Sequence, residues 1–144
     1  MNTSLSMPSI ARKSTQHIAL AAVFNADHEV LLLKRSIGAP QGGLWSFPGG
    51  KVESDETPLD AAQRELFEET GTPGHDWKLL GECEYSYPKT DLYFHLFSCH
   101  CHDVSELSCP EPHTWVPVEQ LDDYRMPQAN IEMLNPMVVE HVSE

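Results

Sequence analysis

Glu65, Glu68 and Glu69 stand at i, i+3 and i+4 in a stretch of the 144-residue chain that reads as a helix. At about 100° per residue this spacing puts three carboxylates on neighbouring positions of one helix face. Like charges so placed repel, and near a helix C-terminus they also oppose the macrodipole. A need for hard oxygen ligands to a divalent cation such as Mg²⁺ would account for tolerating that cost. Taken by itself, the same pattern is more often a solvated acidic face with Arg64 and Glu68 as an ordinary i, i+4 pair.

The elements that must hold these groups can be read around them. Thr57 is a helix N-cap, Pro58 takes the first helical position, and Asp60 completes a T-x-x-D start. Leu59, Ala62 and Leu66 form the apolar stripe, and Gly71 supplies the stop. Burying that stripe leaves the carboxylates facing an edge or cleft. Upstream, Trp45–Phe47 enters the Pro48-Gly49-Gly50 turn, after a Gly- and Pro-rich loop over Ser36–Ser46. His17–Phe24 with Val30–Arg35, and Leu79–Tyr87 with Asp91–Cys101, read as two hairpins. Thr114–Val118 reads as a short strand, and Gln128–Val142 as a closing helix that Pro136 must kink or interrupt. Without a linker or repeat, residues 17–144 are expected to form one α+β domain with a mixed sheet, after a disordered lead-in over Met1–Gln16.

The acidic helix is part of a longer pattern: Gly50-x₅-Glu56-x₇-Arg64-Glu65-Leu66-x-Glu68-Glu69-x-Gly71. This span resembles the Nudix box at each fixed polar and glycine position. Only Thr72 departs, standing where an aliphatic residue is usual. The resemblance implies an α/β/α sandwich around a mixed central sheet. It also implies water attack at phosphorus in a nucleoside diphosphate linkage, with Mg²⁺ (or Mn²⁺) as cofactor. By the same resemblance Glu65, Glu68 and Glu69 are metal ligands, joined by a carbonyl of the glycine turn, Gly49. Glu65 is the general base, Arg64 its ion-pair partner, and Glu56 a brace between loop and helix rather than a ligand. Lys51 is a group for the leaving phosphate, with a solvated lysine as an equal alternative.

Outside the box, residues 17–135 are similar to the MutT branch of the family. Leu33-Lys34-Arg35, Leu44–Lys51, Glu84–Pro88 and Met126–Asn130 carry that likeness. It implies conversion of 8-oxo-dGTP to the monophosphate and pyrophosphate, with Arg35 near the phosphates, Phe47 lining the base pocket and Asn130 reading the purine edge. Asparagine offers both a donor and an acceptor for that task, although a capping asparagine and a core Phe47 are the plain alternatives. Glu111 is expected as a distal carboxylate for a further metal, with Glu106 competing. A broader activity on other nucleoside triphosphates, and a non-catalytic nucleotide-binding module, are the alternatives to this assignment. The three intact box glutamates argue against the second.

Composition narrows the classes. Nine Lys and Arg against 22 Asp and Glu give a net charge of −13, a field that repels nucleic acid polymers but admits a small nucleotide carried with a divalent cation. No apolar run suffices to span a bilayer and no secretory h-region precedes the domain, which gives the cytosol as the expected compartment. The run Cys99-His100-Cys101-His102 uses metal-ligand residue types. It lacks paired C-x₂-C spacing, so a strand end with cysteines on one face and histidines on the other is preferred over a zinc site assisted by Cys109 or His113. The sequence does not speak to oligomeric state.

Overall fold

The computed structural model describes residues 14–36, 38 and 42–143. Alternation in the first strand organises the whole interior. In β1 (Ser14–Phe24), Ala19, Ala21 and Val23 point to one side of the sheet, and Leu20, Ala22 and Phe24 to the other. Both sets are buried, so this central strand is apolar on both faces and each face carries a helix. The small side packs on α1 (Pro58–Thr70) through Ala61, Ala62 and Leu66. The large side packs on the C-terminal segment through Met126, Ala129, Leu134 and Val138. This is the expected sandwich.

β2 (Glu29–Lys34) returns antiparallel to β1, and β3 (Trp45–Ser46) adds to its far side through Leu33–Ser46 and Lys34–Trp45. The short β4 (Gly49–Lys51) lies antiparallel on β1. β5 (His75–Ser86) and β6 (Thr90–His100) form the second hairpin. β6 runs parallel to β1 from Ser14–Thr90 to Phe24–His100, which makes the sheet mixed. β7 (His113–Pro117) pairs with β2.

Some boundaries differ from expectation. Ser14–Gln16 belong to β1, because they pair with Thr90–Leu92 and the Ser14 hydroxyl donates to Thr90 Oγ1 at 3.0 Å. The rest of the expected lead-in, 1–13, lies outside the described residues, as do positions 37 and 39–41 of the Gly/Pro loop. The closing helix is interrupted just ahead of Pro136, as expected. A π-helical turn over Asn130–Leu134 precedes α2 (Asn135–Ser143), and the Asn135 N–H bonds the carbonyl of Asn130. The widened turn admits a proline ring, which a regular α-helix would press against the preceding turn. Among the described residues no helix is long and apolar enough to cross a membrane.

Candidate active site

Two local devices put the carboxylates in place. At the start of α1 the capping box forms as expected: Asp60 N–H donates to Thr57 Oγ1 at 3.1 Å, and Thr57 N–H to the Asp60 carboxylate at 3.3 Å. At its end Gly71 takes a left-handed φ of 79°. The helix then lies against β4, and the two glycines there have separate duties. Gly49 has φ 149°, and a Cβ on it would stand 2.2 Å from the Ala19 carbonyl oxygen. On Gly50, a Cβ would stand 2.5 Å from Glu65 Oε2, so its bare backbone is the floor on which that carboxylate rests.

Arg64 ties the cluster together. Its Nε and Nη2 grip Glu56 at 2.5 and 3.0 Å, while Nη1 reaches Glu65 at 3.2 Å and Glu68 at 3.3 Å. Nη2 also donates to the Lys51 carbonyl at 3.1 Å, joining helix to turn. The hydrogen bonds from Arg64 hold the Glu56 carboxyl down to about 2. The brace expected of Glu56 is therefore present, and Arg64 is fixed against the Glu65 carboxylate.

Glu69 is the least comfortable of the three. Burial pushes its pKa up to about 7, and the negative charges of Glu65 and Glu68 push the same way; the Gly49 N–H, donating at 3.0 Å, and the Arg35 cation oppose this. Such a group is short of positive charge. Among the described residues no three His, Cys, Asp or Glu side chains already converge on one point as metal ligands. The donor set nevertheless suits a hard cation: carboxylate oxygens only, one of them half-protonated near neutrality for want of a counter-charge.

Glu68 and Glu69 open onto a cleft of about 360 Å³ lined also by Arg35, Ser46, Phe47, Gly49 and Glu111, whereas Glu65 and Arg64 are not among the residues that line it. Beside it lies an apolar pocket of about 100 Å³ formed by Ile18, Leu20, Tyr87, Leu92, Phe94, Pro127 and Ala129, closed by Asn130. Arg35 and Ser46 line both, so the two spaces adjoin.

Of the residues singled out from the sequence, Arg35, Phe47, Gly49, Glu68, Glu69 and Glu111 meet at the cleft and Asn130 at the pocket. Phe47 is also buried in the main core and walls the acidic cleft rather than the apolar pocket. Between the two distal carboxylates, Glu111 lines the cleft, where its Oε1 accepts from the Ser36 hydroxyl at 3.3 Å. Glu106 accepts from Thr72 at 3.5 Å and lines neither space. Lys51 is not brought to the cleft: it is exposed on β4, beside Thr15, His17 and Glu53 in a separate depression. Cys99 and Cys101 are buried facing α1 while His100 and His102 are exposed, the strand-end arrangement. Ser46 gave no signal in the sequence; its place between the two spaces depends on β3 pairing with β2.

Residues 14–135 match the family described as the NUDIX domain. The chain is 34% identical over 85 residues to an 8-oxo-dGTP diphosphatase of Proteus vulgaris, an overlap of 59% of this chain and 76% of that protein. It is 32% identical over 120 residues to a CTP pyrophosphohydrolase of Escherichia coli K12, covering 80% of this chain and 86% of the relative. Its fold is similar to that of a MutT protein from Methanosarcina mazei Go1, with a TM-score of 0.79 at 22% identity over 92% of this chain and 99% of the other.

Proposed function

The chain belongs to the NUDIX domain family and is a Nudix pyrophosphohydrolase, and we propose that it converts a nucleoside triphosphate, foremost 8-oxo-dGTP, to the monophosphate and pyrophosphate. The observation that carries this reading is that an acidic cleft adjoins an apolar, asparagine-closed pocket, with Arg35 and Ser46 lining both. A triphosphate and its divalent cation fit the first space and a planar base the second.

In this reading Glu65, Glu68 and Glu69 hold Mg²⁺, with Glu111 and the Gly49 carbonyl at the rim. A Mg²⁺ held there would supply positive charge against the phosphates and would favour ionisation of water. Glu65 takes a proton from the attacking water, and Arg64, locked by Glu56, keeps its carboxylate aimed. Arg35 sits where the two spaces join and is the group for the phosphates. Phe47 walls the cleft rather than the base pocket, and the Asn130 amide meets the base edge. Lys51 has no part in this reading. Hydrolysis of a pyrimidine triphosphate is a second reading, favoured by the longer match to the CTP pyrophosphohydrolase.

The test is a panel of nucleoside triphosphates with Mg²⁺, scored by kcat/KM and by products. Monophosphate with pyrophosphate, and the highest kcat/KM for 8-oxo-dGTP, is the expected outcome. Orthophosphate release without pyrophosphate would overturn the reaction, and a preference for CTP would move the assignment to the second reading.

A further inference from the structure

We infer that the groove between the 3₁₀ segment Val118–Asp123 and α2 is a second ligand site, and that it takes a small organic cation, a primary ammonium on an apolar body. The groove shares no lining residue with the catalytic cleft or with the pocket closed by Asn130. Its volume of about 640 Å³ exceeds the 360 Å³ of the cleft and suits a small molecule. Ile131, inside the π-helical turn, and Asn135, directly after it, both line the groove, and such turns recur at functional sites.

Its surface is apolar below and anionic at the sides. Val118 and Leu121 are buried there, while Ile131 and Val139 stay 46% and 44% exposed. Glu119, Asp122 and Glu140 line the groove and no Lys or Arg does. None of these three carboxylates has a hydrogen-bonding or cationic partner among the described residues. Unpaired negative charges around aliphatic surface favour an occupant that brings a positive charge on an apolar stem. A nucleotide would set negative charge against negative charge, so this is not a second place for the substrate. Another copy of the chain would bring the same carboxylates.

A missing partner in the groove wall specifies an N–H. Asn135 is only 3% exposed, and its Oδ1 is the one buried side-chain polar atom without a hydrogen-bond partner among the described residues. Turning the amide over does not relieve this. Its other end reaches Met126 Sδ at 3.2 Å, and a thioether accepts but cannot donate, so Nδ2 is the end that faces the sulfur. An unpaired buried acceptor is costly, and an ammonium seated beside Asn135 supplies the N–H that it lacks.

The experiment titrates the full chain, with Mg²⁺ saturating the catalytic carboxylates, by calorimetry and by chemical-shift mapping of its amides. The probes are hexylammonium, hexanol, hexanoate and hexyltrimethylammonium. Hexylammonium is expected to bind one site and to shift amides in 118–122 and 131–143. Hexanoate should not bind. Hexanol, without the charge, and hexyltrimethylammonium, without an N–H, should each bind about tenfold more weakly. An E119Q/D122N/E140Q protein changes only exposed side chains; its Tm should match wild type while its affinity for hexylammonium falls at least about tenfold. Absence of hexylammonium binding, unchanged binding in that variant, or shifts confined to the catalytic cleft would overturn the site. Equal affinity for hexylammonium and hexyltrimethylammonium would overturn the primary ammonium as its ligand and the part given to Asn135. The ligand series in wild type decides the matter even if the triple variant folds poorly.

Discussion

Arg64 spreads one positive charge over four glutamates, Glu53, Glu56, Glu65 and Glu68, and the division of labour among them can be separated by substitution. Glu65 rests on the Gly50 backbone with its carboxylate turned to Arg64, so E65Q changes charge without changing shape. Its kcat is expected to fall by at least about 100-fold, the usual worth of general base catalysis, with Tm within a degree or two of wild type. Loss of folding with activity per folded molecule retained would remove Glu65 from that role. Glu56 acts at one remove. Its ion pair lowers its own carboxyl from 4.5 to about 2, so the stability it lends is full above the unfolded value and is lost as pH falls through about 2. An E56Q protein should therefore lose stability at neutral pH and show a flatter acid-unfolding curve between about pH 4.5 and 2. An unchanged curve would mean the pair contributes nothing. Glu65, Glu68 and Glu69 could be grouped from sequence because i+3 and i+4 neighbours are set by helix geometry alone. The preference for Glu111 over Glu106 left the competitor open in the sequence, since it depends on the path of a loop with no local period.

The meeting of β4 with α1 separates fold from chemistry at adjacent residues. Gly49 needs its conformation: an alanine there would drive Cβ into the β1 backbone, at 2.2 Å from Ala19 O and 2.8 Å from Leu20 Cα. At Gly50 the obstacle is the far end of the Glu65 side chain, which can move aside. G49A is thus expected to cost roughly 3 kcal/mol or more in chemical denaturation, while G50A costs about 1 kcal/mol or less and still loses most activity. Equal stability losses would show that the two glycines do the same work. α1 itself was legible almost to the residue, because Thr57, Pro58, Asp60 and Gly71 are local signals whose energetics need no partner. The parallel pairing of β1 with β6 was not, since strand periodicity records which face is buried and not which neighbour is chosen. The same limit hid Ser46, and Pro136 marked a disturbance in the last helix without revealing that a π turn would absorb it.

Over the whole molecule, a net charge of −13 already opposes compaction, and the cleft concentrates that repulsion where Glu69 is least solvated. Raised from 4.5 to about 7, Glu69 holds its proton more tightly in the folded protein than in the unfolded chain. The resulting stability is present below pH 4.5 and is lost as pH rises through about 7. In protein stripped of divalent cations, E69Q should therefore be the more stable form above neutrality, by on the order of 1–3 kcal/mol, because the amide retains an acceptor for the Gly49 N–H and sheds the buried charge. The advantage should shrink on acidification and vanish below about pH 4.5. Mg²⁺ should reverse the order. A cation that binds only the folded carboxylates stabilises by mass action, so wild-type Tm at pH 8 should rise with Mg²⁺ while that of E69Q moves little. Thermal melts across pH with EDTA or Mg²⁺ measure both halves. If wild type outlasts E69Q without metal, or both respond equally to Mg²⁺, Glu69 is neither the strained group nor the ligand argued for here. If both halves hold, the acidic cleft is a liability of the metal-free fold that its cation relieves, and stability and catalysis draw on the same carboxylate.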